Sequence, residues 1–553
     1  MSTNNADLSG LVQQAMGGGQ PSLPGLPDLA DLTRLANQFY AEPPTSSDAL
    51  DTVPTTAAPT SIAAAAPSHF GVLPGIDEAA LSALAQRSIG APGEAELKKQ
   101  LSSPGEFAPV PSIVGSSGSP FYFVSELSAH ARNPQLHAVT SAHPAFDVHA
   151  IRRDFPILQE RVNGHQLAWL DNAATTQKPQ AVIDRLSEFY RHENSNIHRA
   201  AHELAARATD AYEGARNIVS RFINASSVNE VVFVRGTTEA INLVAKSWGK
   251  QNIREGDEII ISWLEHHANI VPWQQLCAET GAILRVIPVD DHGQILLAEY
   301  QRLLNPRTKL VSFTQVSNAL GTVTPAQEMI AMAHRAGARV LLDGAQSISH
   351  LRVDVQALDC DWFVFSGHKI FGPTGIGVLY GKSELLESTP PWQGGGNMIE
   401  DVTFERTIYQ PAPAKFEAGT GNIADAVGLG AALEYVNKVG LENIARYEHE
   451  LLVYGMHALQ NIPGVRLIGT APDKTSVMSF VVAGHSTQDV GNALNQVGIA
   501  VRTGHHCAQP ILRRFGLETT VRPSLAFYNT YEEIDRLVAV VRRLLCNKKT
   551  FTV

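Results

Sequence analysis

A lysine closes an apolar run in Trp362-Phe-Val-Phe-Ser366-Gly-His368-Lys369. A cation at the end of a buried strand is unfavourable unless it is paired or covalently engaged. Ser366 and His368 just before it can donate to an anion. A second apolar run ends in an acid and an amide, Val340-Leu-Leu-Asp343-Gly-Ala-Gln346. Open α/β sheets bind ligands at the carboxyl ends of their strands. A buried carboxylate there calls for a cationic partner, such as the protonated nitrogen of a cofactor ring. Arg235-Gly-Thr237-Thr238-Glu239 stands between a strand-like and a helix-like run, and helix-start amides plus two hydroxyls form a phosphate cradle. Glu265-His266-His267-Ala-Asn269 offers an imidazole to cover a ring face. A metal reading of His266 and His267 is weak, because adjacent residues on a helix point apart and no spaced ligands accompany them.

Lysine, aspartate, phosphate cradle and stacking imidazole together specify a pyridoxal phosphate (PLP) enzyme of fold type I. Its reaction is selected by Val501-Arg502-Thr-Gly-His505-His506-Cys507-Ala-Gln-Pro510. A cysteine in a Gly- and Pro-bounded loop beside two imidazoles and an arginine has the surroundings that favour thiolate. Arg522, in Thr520-Val-Arg-Pro-Ser-Leu, can clamp an amino-acid carboxylate with both arms of its guanidinium.

These side chains need a scaffold, and the chain is long enough for one: 553 residues, 44% hydrophobic and 18% charged, with a net charge of -11. Residues 1–145 differ from the rest. They hold 16 of the 31 prolines, with 5 Lys/Arg against 12 Asp/Glu. From about Asp147, strand-like runs alternate with amphipathic helix-length stretches. Strands are expected at 230–234, 258–262, 283–288, 310–314, 339–342 and 361–365. Helices are expected at 177–193, 201–221, 237–248, 268–280, 324–336 and 421–438. Such alternation predicts an α/β fold, with a mostly parallel sheet covered by helices on both faces. A smaller α/β unit follows, with strands at 465–468 and 476–482 and a last helix at 531–546. The divisions expected are an extension at 1–145, a leading segment at 146–165 that packs on the small domain, a cofactor-binding large domain at 166–435, and a small domain at 436–553 carrying the cysteine loop.

Composition also excludes classes. No run of 18 apolar residues exists, so no membrane span is expected. The first basic residue is Arg34, which reads as neither a secretory nor an Arg-rich transit leader. The acidic balance argues against a nucleic-acid partner. Four scattered cysteines without a C-x-x-C pair fit the reducing cytosol rather than a disulfide framework.

From about 147 to 546 the chain resembles the SufS-like, class II cysteine desulfurases. The resemblance is carried by Asp171-Asn-Ala-Ala-Thr, Arg235-Gly-Thr-Thr-Glu, Glu265-His-His-Ala-Asn-Ile-Val-Pro-Trp273, Val316-Ser-Asn-Ala-Leu-Gly321, Asp343-Gly-Ala-Gln346, Ser366-Gly-His-Lys-Ile-Phe-Gly-Pro-Thr-Gly375 and Arg502-Thr-Gly-His-His-Cys-Ala508. It implies a PLP-dependent homodimer that converts L-cysteine to L-alanine, keeps the sulfur as a persulfide and passes it to a SufE- or SufU-like acceptor. Lys369 would hold PLP and move protons, Asp343 would face the ring nitrogen, Gln346 the phenolic oxygen, and His266 the ring face. Thr237, Thr238, Ser366 and His368 would hold the phosphate, with Thr420 from the other subunit. Asn318 and Arg522 would bind the substrate carboxylate, Cys507 would take the sulfur, and Arg502, His198 and Arg199 would support its loop. The family's Trp-Glu-Gly-Gly-Gly, Gly-Thr-Pro-Asn and Arg-Ala-Ser read here as Trp392-Gln393-Gly-Gly-Gly396, Gly419-Thr-Gly421-Asn422 and Arg522-Pro523-Ser524. Selenocysteine lyase is the sister reaction that the same site would serve.

The Pro-, Ala- and Ser-rich extension cannot form a core and is expected to be largely disordered. It contains two islands of helical spacing, at 28–40 and 77–89. Such islands can lie in a partner's groove or pack back on the enzyme. The extension resembles that of desulfurases carried as cargo by family 2 encapsulin shells, with Leu32-Thr-Arg-Leu-Ala-Asn-Gln-Phe-Tyr-Ala-Glu42 as the docking run. The resemblance implies sulfur storage or mobilisation inside a shell. An unpackaged enzyme of iron–sulfur cluster assembly is the alternative.

Overall fold

The computed structural model describes residues 146–198 and 202–546. The extension and its two islands lie outside the described residues, as does Arg199. The main sheet has seven strands: β2 (Val231–Val234), β3 (Glu258–Ser262), β4 (Ile283–Ile287), β5 (Thr308–Thr314), β6 (Arg339–Asp343), β7 (Trp362–Ser366) and β8 (Gly377–Gly381). Preceding them is a two-residue strand, β1 (Ala168–Trp169). The sheet runs in the order β2-β8-β7-β6-β5-β3-β4. Strands β7, β6, β5, β3 and β4 are parallel, and β8 runs antiparallel to both its neighbours. Strands β2, β3, β7 and β8 are buried along their whole length, as expected of strands covered on both faces.

The reading of this sheet as mostly parallel holds, with one strand added. The short run Val378-Leu-Tyr380 between two glycines is β8, which the sequence analysis did not name. Because β8 reverses between β2 and β7, the ends of β2, β3, β5, β6 and β7 all open on one edge. Helices α1 (Gln180–His192), α2 (Glu203–Phe222), α3 (Thr237–Val244), α4 (Val271–Thr280), α5 (Ala326–Arg335) and α6 (Ile423–Val439) match the expected stretches closely. The expected helix 237–248 is divided, because its ladder changes to a π turn over Ala245–Gly249.

After α6 the chain forms α7 (Leu441–Gln460), β9 (Val465–Ile468), β10 (Ser479–Val482), α8 (Thr487–Asn495), β11 (Ile499–Ala500), β12 (Arg502–Gly504), β13 (Thr520–Arg522) and α9 (Tyr531–Cys546). Strands β9, β10, β13 and β12 form an antiparallel sheet in that order. β11 instead pairs in parallel with β1, Ile499 opposite Ala168 and Ala500 opposite Trp169. The leading residues meet the same region. Phe146 stacks on Tyr447 at 4.5 Å, and Arg152 pairs with Glu533 at 2.9 Å.

One glycine sets how closely β6 and β7 approach where the edge opens. A Cβ on Gly344 would lie 1.9 Å from the Phe363 ring. Gly344→Ala is therefore expected to lower stability by about 1–3 kcal/mol through overpacking and to displace Asp343 beside it. Thermal unfolding and cofactor content read the two effects separately.

A half-buried lysine offers a second check. Lys474 Nζ donates to the Gly469 carbonyl at 2.7 Å and meets the Met456 sulfur at 3.8 Å, and burial lowers its pKa to about 7. The unfolded chain keeps this proton up to about pH 10.4. The penalty is therefore complete below pH 7 and fades as pH rises from 7 towards the unfolded value. Lys474→Met is expected to raise stability at pH 6 by about 2–4 kcal/mol, with the gain vanishing by about pH 10.5. A gain independent of pH would refute this assignment.

Candidate active site

The carboxyl edge of the main sheet carries a cleft of ≈ 200 Å³. Thr237 and Thr238 reach it from the start of α3, His266 from the turn after β3, and Asn318 from the loop after β5. Asp343 and Gln346 come from the end of β6, and Ser366, His368 and Lys369 from the end of β7. Arg502, Cys507 and Arg522 enter from the small sheet. Three residues singled out by sequence lie elsewhere or are not described. Thr420 lines a separate cleft with Trp392, Gln393 and Tyr212. His198 lines another and bonds Glu213 at 2.9 Å rather than the cysteine loop. Arg199 is outside the described residues.

The phosphate-sized end of the cleft is pinned by Ser366. Its Oγ accepts the Thr237 N–H at 2.9 Å and lies 2.9 Å from Thr237 Oγ1. Gly236 precedes them at φ +156°, and a Cβ there would sit 3.1 Å from Ser366 Oγ. The glycine is thus needed to bring the start of α3 against β7. The His368 carbonyl accepts from Thr176 N at 3.0 Å, from Thr175 Oγ1 and Thr176 Oγ1 at 3.1 Å, and from Lys178 Nζ at 3.3 Å. This clamp fixes the turn that bears Lys369.

Asp343 is 3% exposed, and its Oδ1 accepts the Ala345 N–H at 2.9 Å. Burial raises its pKa above the ordinary carboxylate value, against the pull of that N–H and of Lys369. Burial in turn lowers Lys369 to about 8, with Asp343 opposing the shift. Such an amine can be neutral near physiological pH, as a nucleophile must be. Burial, reinforced by Lys369, lowers His266 to about 3. Its Nδ1 accepts the Ala268 N–H at 3.0 Å, so the neutral ring carries its proton on Nε2.

Next to His266 in the chain, the fully buried Glu265 takes bonds from Ser262 Oγ, from Asn269 Nδ2 at 2.6 Å and from Thr314 N at 3.1 Å. Burial outweighs these donors and lifts its pKa to about 8. Glu265 was legible only as part of a motif, and its buried bonds to Ser262, Asn269 and Thr314 were missed.

Asp171 was also missed as a site residue. Arg502 and Arg522 are directly opposed across β12 and β13. Asp171 separates their charges, with Oδ2 accepting from Arg502 Nε and Oδ1 from Arg522, each at 3.2 Å. Arg522 is 2% exposed, burial lowers its pKa to about 10, and its Nε has no partner among the described residues. Asn318 also lines the cleft. Its Nδ2 donates to the His506 carbonyl at 2.7 Å and its own carbonyl receives Arg522 at 2.9 Å, so it links the arginine to the cysteine loop. Its Oδ1 is buried without a partner. Gln346 Nε2 donates to the Ala173 carbonyl at 2.8 Å.

His506 does not supply positive charge to Cys507. Its Nε2 lies 2.8 Å from Thr520 Oγ1, and burial, helped by Arg522 and Arg502, drives its pKa far down. The cations that interact with the thiol are Arg522 and Lys369 instead. Among the described residues, no cluster of His, Cys, Asp and Glu could hold a metal ion, and no helix is long and apolar enough to cross a membrane.

The donor set fits PLP. Asp343 is a buried carboxylate facing a cleft, as a protonated ring nitrogen requires. The amides and hydroxyls at Thr237, Thr238 and Ser366 suit a phosphate, and one lysine stands between them.

Comparisons with known proteins agree. The Aminotransferase class-V family matches residues 168–537. The cysteine desulfurase of Synechococcus elongatus is 73% identical over 446 residues, covering 77% of this chain and 71% of its own length. That of Escherichia coli O127:H6 is 54% identical over 400 residues, covering 72% of this chain and 98% of its own. The crystal structure of the cysteine desulfurase CsdA from Escherichia coli, in an S-sulfonic acid form, matches with a TM-score of 0.68 at 40% identity, over 73% of this chain and all of that one.

Proposed function

Because this chain belongs to the class-V aminotransferase family, and within it to the PLP-dependent cysteine desulfurases, we propose that it converts L-cysteine to L-alanine with the sulfur held as a persulfide on Cys507. The observation that carries this reading is the meeting in one cleft of Lys369 and Asp343 from the main sheet with Cys507 and Arg522 from the small one. PLP supplies, when bound, an electron sink for charge developed at the substrate Cα.

The chain's own residues do the rest. Lys369 holds the cofactor and carries the proton that leaves and returns at Cα. Asp343 would keep the ring nitrogen protonated, Gln346 would bond the phenolic oxygen, and the uncharged His266 would cover the ring. Thr237, Thr238, Ser366 and His368 hold the phosphate. Arg522 takes the substrate carboxylate through arms that Asp171 and Asn318 aim. The Cys507 thiolate forms a bond to the substrate sulfur as the Cβ–S bond breaks, the electron pair of that bond passing to Cβ, which takes up a proton to become the methyl group of alanine. Its persulfide is then passed to a SufE- or SufU-like acceptor.

We extend the reading to a SufS-like homodimer, in which Thr420, His198 and Arg199 serve the partner's site. Residues 1–145 act as an address for an encapsulin shell. The warrant for the address is the composition of that segment and its helical islands.

Two measurements on the purified enzyme test the core of the proposal. Borohydride should fix the cofactor to the peptide bearing Lys369. A single turnover with L-cysteine should give one alanine and add the mass of one sulfur to the peptide bearing Cys507. Label on another lysine, or sulfur on Cys277, Cys360 or Cys546, would refute the corresponding assignment.

A further inference from the structure

Two consecutive residues of the cysteine loop, His506 at φ +53° and Cys507 at φ +54°, are in the left-handed region. Residues with side chains adopt that conformation only where their surroundings impose it. Here the restraint comes from imidazoles on two different elements. Cys507 N–H donates to His505 Nδ1 at 3.0 Å, and Gln509 N–H donates to His267 Nε2 at 3.4 Å. The His267 backbone N–H in turn donates to the Cys507 carbonyl at 2.8 Å. The two rings stack, with centroids 5.8 Å apart and planes 26° from parallel.

Each ring can accept only through an unprotonated nitrogen, and the two accept through different ones. His505 must therefore carry its proton on Nε2, and His267 on Nδ1. A charged ring would lose its acceptor and repel its stacked neighbour. Burial and the neighbouring His505 both lower the pKa of His267, in keeping with a neutral ring. The charged groups that reach this loop from other elements are Arg502 and Arg522 on β12 and β13 and Lys369 after β7. None of them is bonded to either ring.

We propose that His267 and His505 are positioning residues, which hold Cys507 in its left-handed conformation by accepting the Gln509 and Cys507 backbone N–H groups through opposite ring nitrogens. They hold a backbone; they do not move a proton. The proposal rests on the reading of Cys507 as the sulfur carrier, and it gives the loop a task apart from the thiol's own chemistry. The sulfur must meet the substrate at one angle, and a misplacement of about 1 Å costs on the order of 10²-fold in rate.

The side-chain amides make the test specific. A glutamine oxygen replaces Nε2 of a histidine, and an asparagine oxygen replaces Nδ1. His267→Gln and His505→Asn keep the acceptors where they are needed. His267→Asn, His505→Gln and the two alanine variants do not. Amide hydrogen exchange of the peptide spanning 505–509 in the PLP-loaded enzyme should match the parent for the first pair and be at least about tenfold faster for the others. Sulfur transfer to Cys507 in a single turnover should follow the same order, falling by about 10–10²-fold in the mismatched variants. KM for L-cysteine and the cofactor absorbance should stay within about twofold throughout. Equal protection by Gln and Asn at one position overturns the proposal. So does a matched variant that protects the loop yet transfers no sulfur, since that would assign the ring an acid–base role. Because exchange is read without turnover, a Cys507→Ser enzyme that still turns over would refute the sulfur-carrier reading and leave the exchange result standing.

Discussion

Lys369→Ala is expected to lower cysteine desulfuration by about 10⁴-fold or more, with a thermal midpoint close to the parent's. Lys369 is the one lysine that lines the cleft among the described residues. The His368 carbonyl clamp holds its backbone, and burial brings its amine to about 8. No neighbour can replace it. His266 is held far too low to carry a proton near neutral pH, and Lys178 is engaged with the His368 and Thr176 carbonyls. PLP should still be bound by the groups around its phosphate and by Asp343, but more weakly, and borohydride should fix none. Alanine formation is the measurement, with methylamine as a partial rescue. Turnover above about 1% of the parent would mean that another base serves the site.

Cys507→Ser should separate the two halves of the reaction. Serine keeps the size and the backbone bonds of the loop, but its hydroxyl is a far weaker nucleophile than a thiolate. Release of sulfide from L-cysteine with a reductant present should fall by about 10²-fold or more. The absorbance change on adding L-cysteine should persist, because Asp343, Lys369 and Arg522 are untouched. Selenocysteine has the better leaving group, so its lysis should survive the substitution. Unimpaired desulfuration would mean that sulfur leaves without a persulfide, and the selenocysteine lyase reading would then gain.

How much of this site could be read from sequence follows from what each signal depends on. Asp343, Ser366 and Lys369 stand at the ends of runs buried on both faces, and such runs announce their own ends. The phosphate cradle was legible because it is local, with Gly236, Thr237 and Thr238 in one turn. β8 was not, since its three apolar residues carry no periodicity and its reversal is decided by pairing with β2 and β7.

Asp171 was missed for a related reason. An acid in Leu-Asp-Asn looks ordinary until β1 is laid beside β11 and two arginines converge on it. Asn318 was singled out by the resemblance as a substrate ligand, and its additional bonds to His506 and Arg522 are made between segments far apart in sequence. The charge on His506 was misjudged because a sequence shows neighbours along the chain and not burial.

The bridge at Asp171 also has a consequence in time. Its partners Arg502 and Arg522 follow it by 331 and 351 residues. A ribosome adding about 5–20 residues per second needs on the order of 20–70 s to make that stretch. Over most of that interval the nascent chain contains β1 without β11, and Asp171 without either arginine. The strands that carry Asp343 and Lys369 emerge well before the loop that carries Cys507. The half of the pocket that suits the cofactor can thus be assembled before the loop that carries Cys507 has been made.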